Sequence, residues 1–199
     1  NRPQWYTVTN RSRTYVNKIL SKISGEVFKN YKVNKILRSE NNVRVSIGNE
    51  YMDYDHAVLA SHADQSLKML EDPTEEEKEI LTKFSYVSNS AYLHIDKNLM
   101  PQRKSAWSSW NSITKENKTC VTYWLNKLQN LKTEKDYFLT LNTVERINDE
   151  NTIKKVNFTH PYFNNENVAL QKHLQKLQGK KRTWYCGSYF GYGFHEDGL

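Results

Sequence analysis

Four of the chain's seven glycines, Gly187, Gly191, Gly193 and Gly198, fall close together at its C-terminal end. They follow TWYCG (183–187), an apolar run that reads as a buried strand. A strand, a glycine turn and a helix start direct backbone N–H groups toward whatever lies at the strand's end. Glycine also lets a flat or anionic ligand approach the main chain closely. The same spacing serves a loop that merely needs positive φ, and spacing alone leaves the two readings level. The pattern is neither GxGxxG nor a Walker loop. Glu196 and Asp197 read first as carboxylates satisfying a helix N-terminus. His62, in SHADQ, either lines a site at a strand's C-terminal end or caps the next helix. His94, His160 and His173 show no metal-ligand spacing, so no metal site is expected. Cys120 and Cys186, the only cysteines, stand 66 residues apart, which excludes a CxxC pair and a zinc ribbon. Cys186 reads as a small buried hydrophobe. Trp107, Trp110, Tyr123 and Trp124 could stack single-stranded nucleic acid, but a core or a hydrophobic substrate wall is the preferred reading.

The elements that must position these residues are α/β in order. Ser12 caps a helix over 13–24, stopped by Gly25. Strands are expected over 26–37, 43–47 and 56–61, with turn chemistry at 39–42 and 47–53. HAVLAS (56–61) suits a strand buried in a parallel sheet. Asp64 starts a helix with Leu67, Met69 and Leu70, and Pro73-Thr74 opens an acidic one, EEEKEILTKF, whose EEE run reads as a solvated face. Alternating, aromatic-rich runs at 84–95, 105–113, 119–126 and 137–142 predict an antiparallel sheet with one exposed face. HPYF (160–163) reads as a turn, 166–178 as a helix ended by Gly179, and 191–199 as a helix start.

Composition narrows the class. The chain has 199 residues, 37% hydrophobic, 26% charged and 13% aromatic, with mean hydropathy −0.84. That is one domain or one and a half, with a real core and too many aromatics for disorder. No apolar run approaches the roughly 20 residues of a membrane-spanning helix. Net charge is +7 and the pI about 9.2, which would suit an anionic partner. However, 21 lysines and 21 asparagines against 8 arginines is what an AT-rich genome produces, and the basic residues are scattered. No nucleic-acid partner is therefore expected. Low cysteine content fits a reducing, cytoplasmic compartment. The chain starts at Asn1 and stops at HEDGL, which reads as a piece of a longer protein.

TWYCGSYFGYGFHEDGL (183–199) resembles the C-terminal flavin-binding motif of the flavin-containing amine oxidase superfamily. HAVLASHADQSLKML (56–70) is similar to that family's return strand and its threshold to the substrate domain. RPQWYTVTNRSRTYVNKIL (2–20) and VFKNYKVNKIL (27–37) resemble the helix and strand before it. SHADQ, LMPQRKSAWSSWN (99–111), VTYWLNKLQ (121–129) and HPYF are similar to a bacterial branch of predicted NAD/FAD-binding oxidoreductases. The resemblance implies an α/β fold: an FAD/NAD(P)-binding Rossmann-like domain built from separated segments, with an interleaved α+β substrate domain. Residues 1–62 and 166–199 would belong to the former and 63–165 to the latter. The family's GxGxxG unit is absent, so the chain would be a C-terminal part that binds FAD weakly or not at all alone.

By the resemblance, Val33 would offer its backbone to the adenine, and Ala60 would lie where the return strand passes the cofactor. Gly187 and Ser188 would face the pyrophosphate and ribitol. Gly193, Phe194 and His195 would face the flavin ring, with the His195 N–H near its C2 carbonyl and Glu196 beside it. The implied activity is FAD-dependent hydride transfer from an organic substrate, small or lipid-like. A flavin-dependent desaturase or isomerase of an apolar or fatty-acyl substrate is the first alternative, and a basic RNA-binding module the second. Peripheral membrane contact would suit a lipid-like substrate. Two departures matter. Asn10-Arg11 replaces the family's usual glycine pair, and no lysine stands in FSYVSNSAYLHI (84–95), where many amine oxidases carry one. Oxygen-dependent amine oxidation is therefore not supported, and no general base is named.

Overall fold

A computed structural model describes residues 4, 6–194 and 196–198. The chain forms two compact units, residues 1–27 with 88–158 and residues 28–87 with 159–199.

The second unit holds two small sheets. One is an antiparallel meander of β1 (Val33–Arg38), β2 (Val43–Ile47) and β3 (Glu50–Tyr54). Ser39 builds its first turn by accepting the N–H groups of Asn41 and Asn42. Gly48, at φ 60, makes the second, and the Asn34 side chain accepts its N–H. The other sheet pairs β4 (Ala57–Leu59) in parallel with β10 (Thr183–Tyr185). Helices α2 (Ala63–Met69), α3 (Glu75–Leu81) and α5 (Asn165–Leu170) complete this unit. Ile36, Val43, Leu59, Leu81, Leu174, Leu177, Tyr185 and Tyr189 fill one core. α3 starts in a capping box: Thr74 Oγ1 accepts the Glu77 N–H, and the Glu77 carboxylate accepts the Thr74 N–H.

The first unit carries an exposed helix α1 (Ser12–Leu20) and a sheet ordered β6-β7-β8-β5-β9. Its strands are β5 (Tyr86–His94, from Ser88 onward in this unit), β6 (Trp110–Lys115), β7 (Lys118–Trp124), β8 (Phe138–Leu141) and β9 (Thr152–Pro161, up to Phe158 in this unit), with α4 (Leu125–Leu128) after β7. β6–β7, β7–β8 and β5–β8 pair antiparallel, as the alternation predicts. Glu116 and Asn117, both at positive φ, make the tight β6–β7 turn. Met100, Trp107, Phe138 and Trp124 pack together.

Several expectations need correction. The strand foreseen over 26–37 is confined to β1; residues 26–32 lie outside it and are largely exposed. The turn foreseen over 47–53 shrinks to Gly48-Asn49, because Glu50–Tyr54 pairs with β2. HPYF begins inside β9, an edge strand whose polar sequence hides it. The helix over 166–178 is α-helical only to Leu170 and continues as a 3₁₀ helix to Leu177. The run 191–199 forms one 3₁₀ turn, Glu196–Gly198, among its described residues. The EEE run is not wholly solvated: Glu77 is 2% exposed.

Candidate functional site

The parallel pair β4–β10 sets the candidate site. Ala57, Val58 and Leu59 lie beside Thr183, Trp184 and Tyr185, and the Cys186 N–H extends the ladder to the Leu59 carbonyl at 3.1 Å. Side-chain alternation buries Leu59 and Tyr185 and leaves Val58 and Trp184 exposed. The strands therefore end side by side, β4 in Ala60-Ser61-His62 and β10 in Cys186-Gly187-Ser188. In open α/β sheets, ligands are received outside the carboxyl ends of such strands.

These ends are tied down. Ser61 and Ser66 share a hydroxyl hydrogen bond of 2.8 Å. His62 stacks on Tyr86, with ring centroids 4.1 Å apart, and its Nδ1 lies 3.5 Å from Thr159 Oγ1. The Ala63 N–H donates to the Tyr86 hydroxyl at 2.8 Å. Burial pushes the Tyr86 phenol up to about 12, Ala63 opposing and Asp64 adding to the rise. Tyr189 is 2% exposed, and its ring lies against Phe84 and Phe190. Its buried hydroxyl has no hydrogen-bond partner, and burial raises its pKa.

The glycine turn differs from the open donor set its spacing suggests. The Phe190 N–H donates to the Gly187 carbonyl, and the Gly191 and Gly193 N–H groups to that of Ser188. The Tyr192 and Phe194 N–H groups both donate to Asp197 Oδ2, at 3.0 and 2.8 Å. The five N–H groups of residues 190–194 thus have acceptors within the turn. Gly187 (φ 144) and Gly193 (φ 88) hold conformations that favour glycine. A Cβ would also stand 3.0 Å from the Tyr189 ring at Gly187 and 2.9 Å from the Phe163 ring at Gly193. Close packing of the chain on itself accounts for these glycines.

Of the residues singled out in the sequence, the structure brings Ala60, Gly187 and Ser188 to one place, and Gly193 is linked to Ser188. Val33 stands apart on β1, packed against the shared core. Phe194 is 70% exposed and Glu196 exposed. His195 lies outside the described residues. Asn10 and Arg11, where the resemblance implies a glycine pair, both hold positive φ, 61° and 70°. The glycine-like backbone is thus present there without glycine.

Sequence reasoning missed the buried polar cluster beneath this pair. The Arg38 guanidinium grips Glu77 bidentately at 2.5 and 2.8 Å and reaches Asp72. The Tyr185 hydroxyl donates to Glu77 at 2.7 Å, and Lys181 holds Asp72. Burial alone would raise the Glu77 carboxyl. Hydrogen bonds from Arg38, Tyr185 and the Thr74 N–H, with the Arg38 charge, overcome that and leave it at about 2. Only the capping-box spacing Thr74…Glu77 could have flagged it.

With this geometry in place, the chain can be set beside known structures. It matches a CLA-producing fatty acid isomerase from P. acnes with TM-score 0.65 and 12% identity, over 94% of this chain and 49% of that one. The fold is shared. It also matches putrescine oxidase bound to putrescine, with TM-score 0.62 and 9% identity, over 96% and 50%. A putrescine oxidase triple mutant made to redesign cofactor binding matches with TM-score 0.63 and 10% identity, over 94% and 49%. The chain spans about half the length of these solved chains. No family model and no curated protein matches it.

Two parallel strands stop together in the small residues Ala60 and Gly187, which leaves main chain open to a bound group only on the side of Gly187 that the Tyr189 ring does not fill. The turn over 190–194 offers no free backbone N–H for one. Among the described residues no helix is long and apolar enough to cross a membrane, and no cluster of three or more His, Cys, Asp or Glu could hold a metal.

Proposed function

We propose that this chain forms part of an FAD-dependent oxidoreductase similar to the flavin-containing amine oxidases. The observation that carries the proposal is the parallel β4–β10 pair, which joins the two segments that resemble the family's return strand and C-terminal motif. The shared fold supports it. In this reading residues 1–62 and 166–199 build the flavin-binding part, and 63–165 the substrate part.

Bound FAD would supply hydride acceptance at the flavin ring. The chain's own residues would position it. Val33 would present its backbone on β1, and Ala60, Gly187 and Ser188 would form the strand-end floor. The self-closed turn with Gly193, Phe194 and Glu196 would contribute shape, because its donors from 190 to 194 already have acceptors, and the role of His195 toward the flavin ring rests on the resemblance alone. His62, stacked on Tyr86, would face the same strand end.

A second reading within this class is isomerisation or desaturation of an apolar, fatty-acyl substrate. Two observations favour it: the fold likeness to a fatty acid isomerase, and the absence of lysine from residues 84–95. The nucleic-acid alternative loses half of its platform, since Trp107 is buried and Trp124 packs against the Met100–Trp107–Phe138 cluster, leaving Trp110 exposed beside Tyr123.

The test is an absorption spectrum of the protein expressed from its complete coding sequence. Bands at about 370 and 450 nm are expected from bound flavin. Ala60→Val should reduce the flavin content of a still-folded protein. A folded, colourless protein that added FAD does not reconstitute would overturn the reading.

A further inference from the structure

The first unit contains a recess of about 550 Å³ that the flavin reading does not use, lined by Tyr6, Thr7, Ser109, Trp110, Lys127 and Leu128. Its volume lies within the roughly 300–1,000 Å³ of small-molecule sites. Trp110 begins β6 and is 62% exposed, although its ring meets that of Tyr123 edge-on at 5.8 Å. Tyr6, on the same recess, is 82% exposed. Two large aromatic faces in one concavity are what an apolar ligand body covers, and aromatic anchors give such contacts most of their strength.

Charge fixes the sign of the ligand's polar end. Lys127 is the one charged residue among the described residues lining the recess. Its ammonium lies 3.4 Å from the Trp107 carbonyl, which leaves donors for a second acceptor. Among the described residues no carboxylate is paired with it, whereas Lys104 and Lys97 are both held by Asp136. A cationic ligand would be repelled. A nucleic acid would need a row of cations, and the recess supplies one. Thr7 and Ser109 add polar groups at the rim.

We infer that this recess binds an amphipathic monocarboxylate, with its apolar body against Trp110, Tyr6 and Leu128 and its carboxylate at Lys127. The inference does not depend on flavin binding, since every contact lies within one unit.

The test is calorimetric titration of the full chain with decanoate, below its micelle-forming concentration, and with decanol as the uncharged match. Decanoate should bind saturably at one site, tighter than decanol. Lys127→Gln should weaken decanoate about threefold and leave decanol unchanged, the scale of a partly exposed ion pair. Trp110→Ala should weaken both about tenfold, the scale of a lost aromatic anchor. Circular dichroism checks that both variants fold. Absence of saturable decanoate binding, equal affinity for decanoate and decanol, or wild-type affinity in folded Trp110→Ala would each overturn the inference.

Discussion

Each unit holds a buried polar cluster, and the two clusters are built differently. The second buries charge: Arg38, with a fully buried side chain, and Glu77 face each other, with Asp72, Tyr185 and the Thr74 N–H completing their shells. The first buries the carboxylates of Asp96 and Asp136 as well, but the chain of side chains at its centre is neutral. His94 is 0% exposed, its Nδ1 accepts the Asp96 N–H, and its Nε2 therefore donates to Thr140, which bonds Thr122 across β7 and β8. Burial pushes the His94 pKa below its ordinary value, against the pull of Asp96. A charged cluster resists only as long as every partner is present, because an orphaned buried ion has no water to turn to. A neutral chain loses one hydrogen bond at a time.

Removing one side of the charged cluster should have the largest effect. Glu77→Ala leaves Arg38 buried with only Asp72 and should cost about 3–5 kcal/mol in chemical denaturation. Arg38→Met with Glu77→Leu should cost less than the two single changes together, a coupling of about 1–3 kcal/mol. Additive losses would show that the pair is not coupled.

Acid should separate the clusters. Glu77 has a folded pKa of about 2 against an ordinary 4.5, so its contribution is complete above about pH 4.5 and lost as pH falls toward 2. That is on the order of 3 kcal/mol, and Glu77→Gln should flatten this limb of the stability profile. His94, also depressed, should begin to cost stability once pH falls below its ordinary 6.5. Its histidine signals in NMR titration should stay neutral there until unfolding.

In the neutral chain, Thr140→Val should cost about 1–3 kcal/mol, because the His94 Nε2–H and the Thr122 hydroxyl both lose a partner. Tyr185→Phe should have the smallest effect, about 1 kcal/mol, since Glu77 keeps its other donors.

Short-range chemistry made much of this molecule legible. Ser39 and its neighbours form the expected turn, Gly179 ends its helical stretch at φ 74, and HAVLAS and TWYCG both contain strands. What escaped was set by partners far along the chain. Glu77 looks solvated in EEE until Arg38, 39 residues away, takes it inside. β9, rich in lysine, is a strand only because β5 lies beside it. The candidate site was legible as residues but not as geometry. Glycine spacing announces a tight turn, yet says nothing of Asp197 folding back to take its N–H groups.

The β4–β10 pair has a consequence for folding order. Each strand is three residues long, and Arg182, just ahead of β10, donates to the carbonyl of Asp55, 127 residues earlier. So distant a contact closes slowly and rewards nothing until its flanks are formed. During synthesis β4 must wait, unpaired, while almost all of the intervening chain emerges. Ala60 and Gly187 then come together only after β10 has emerged, so any cofactor held there would select molecules in which the pair has formed over those in which it has not.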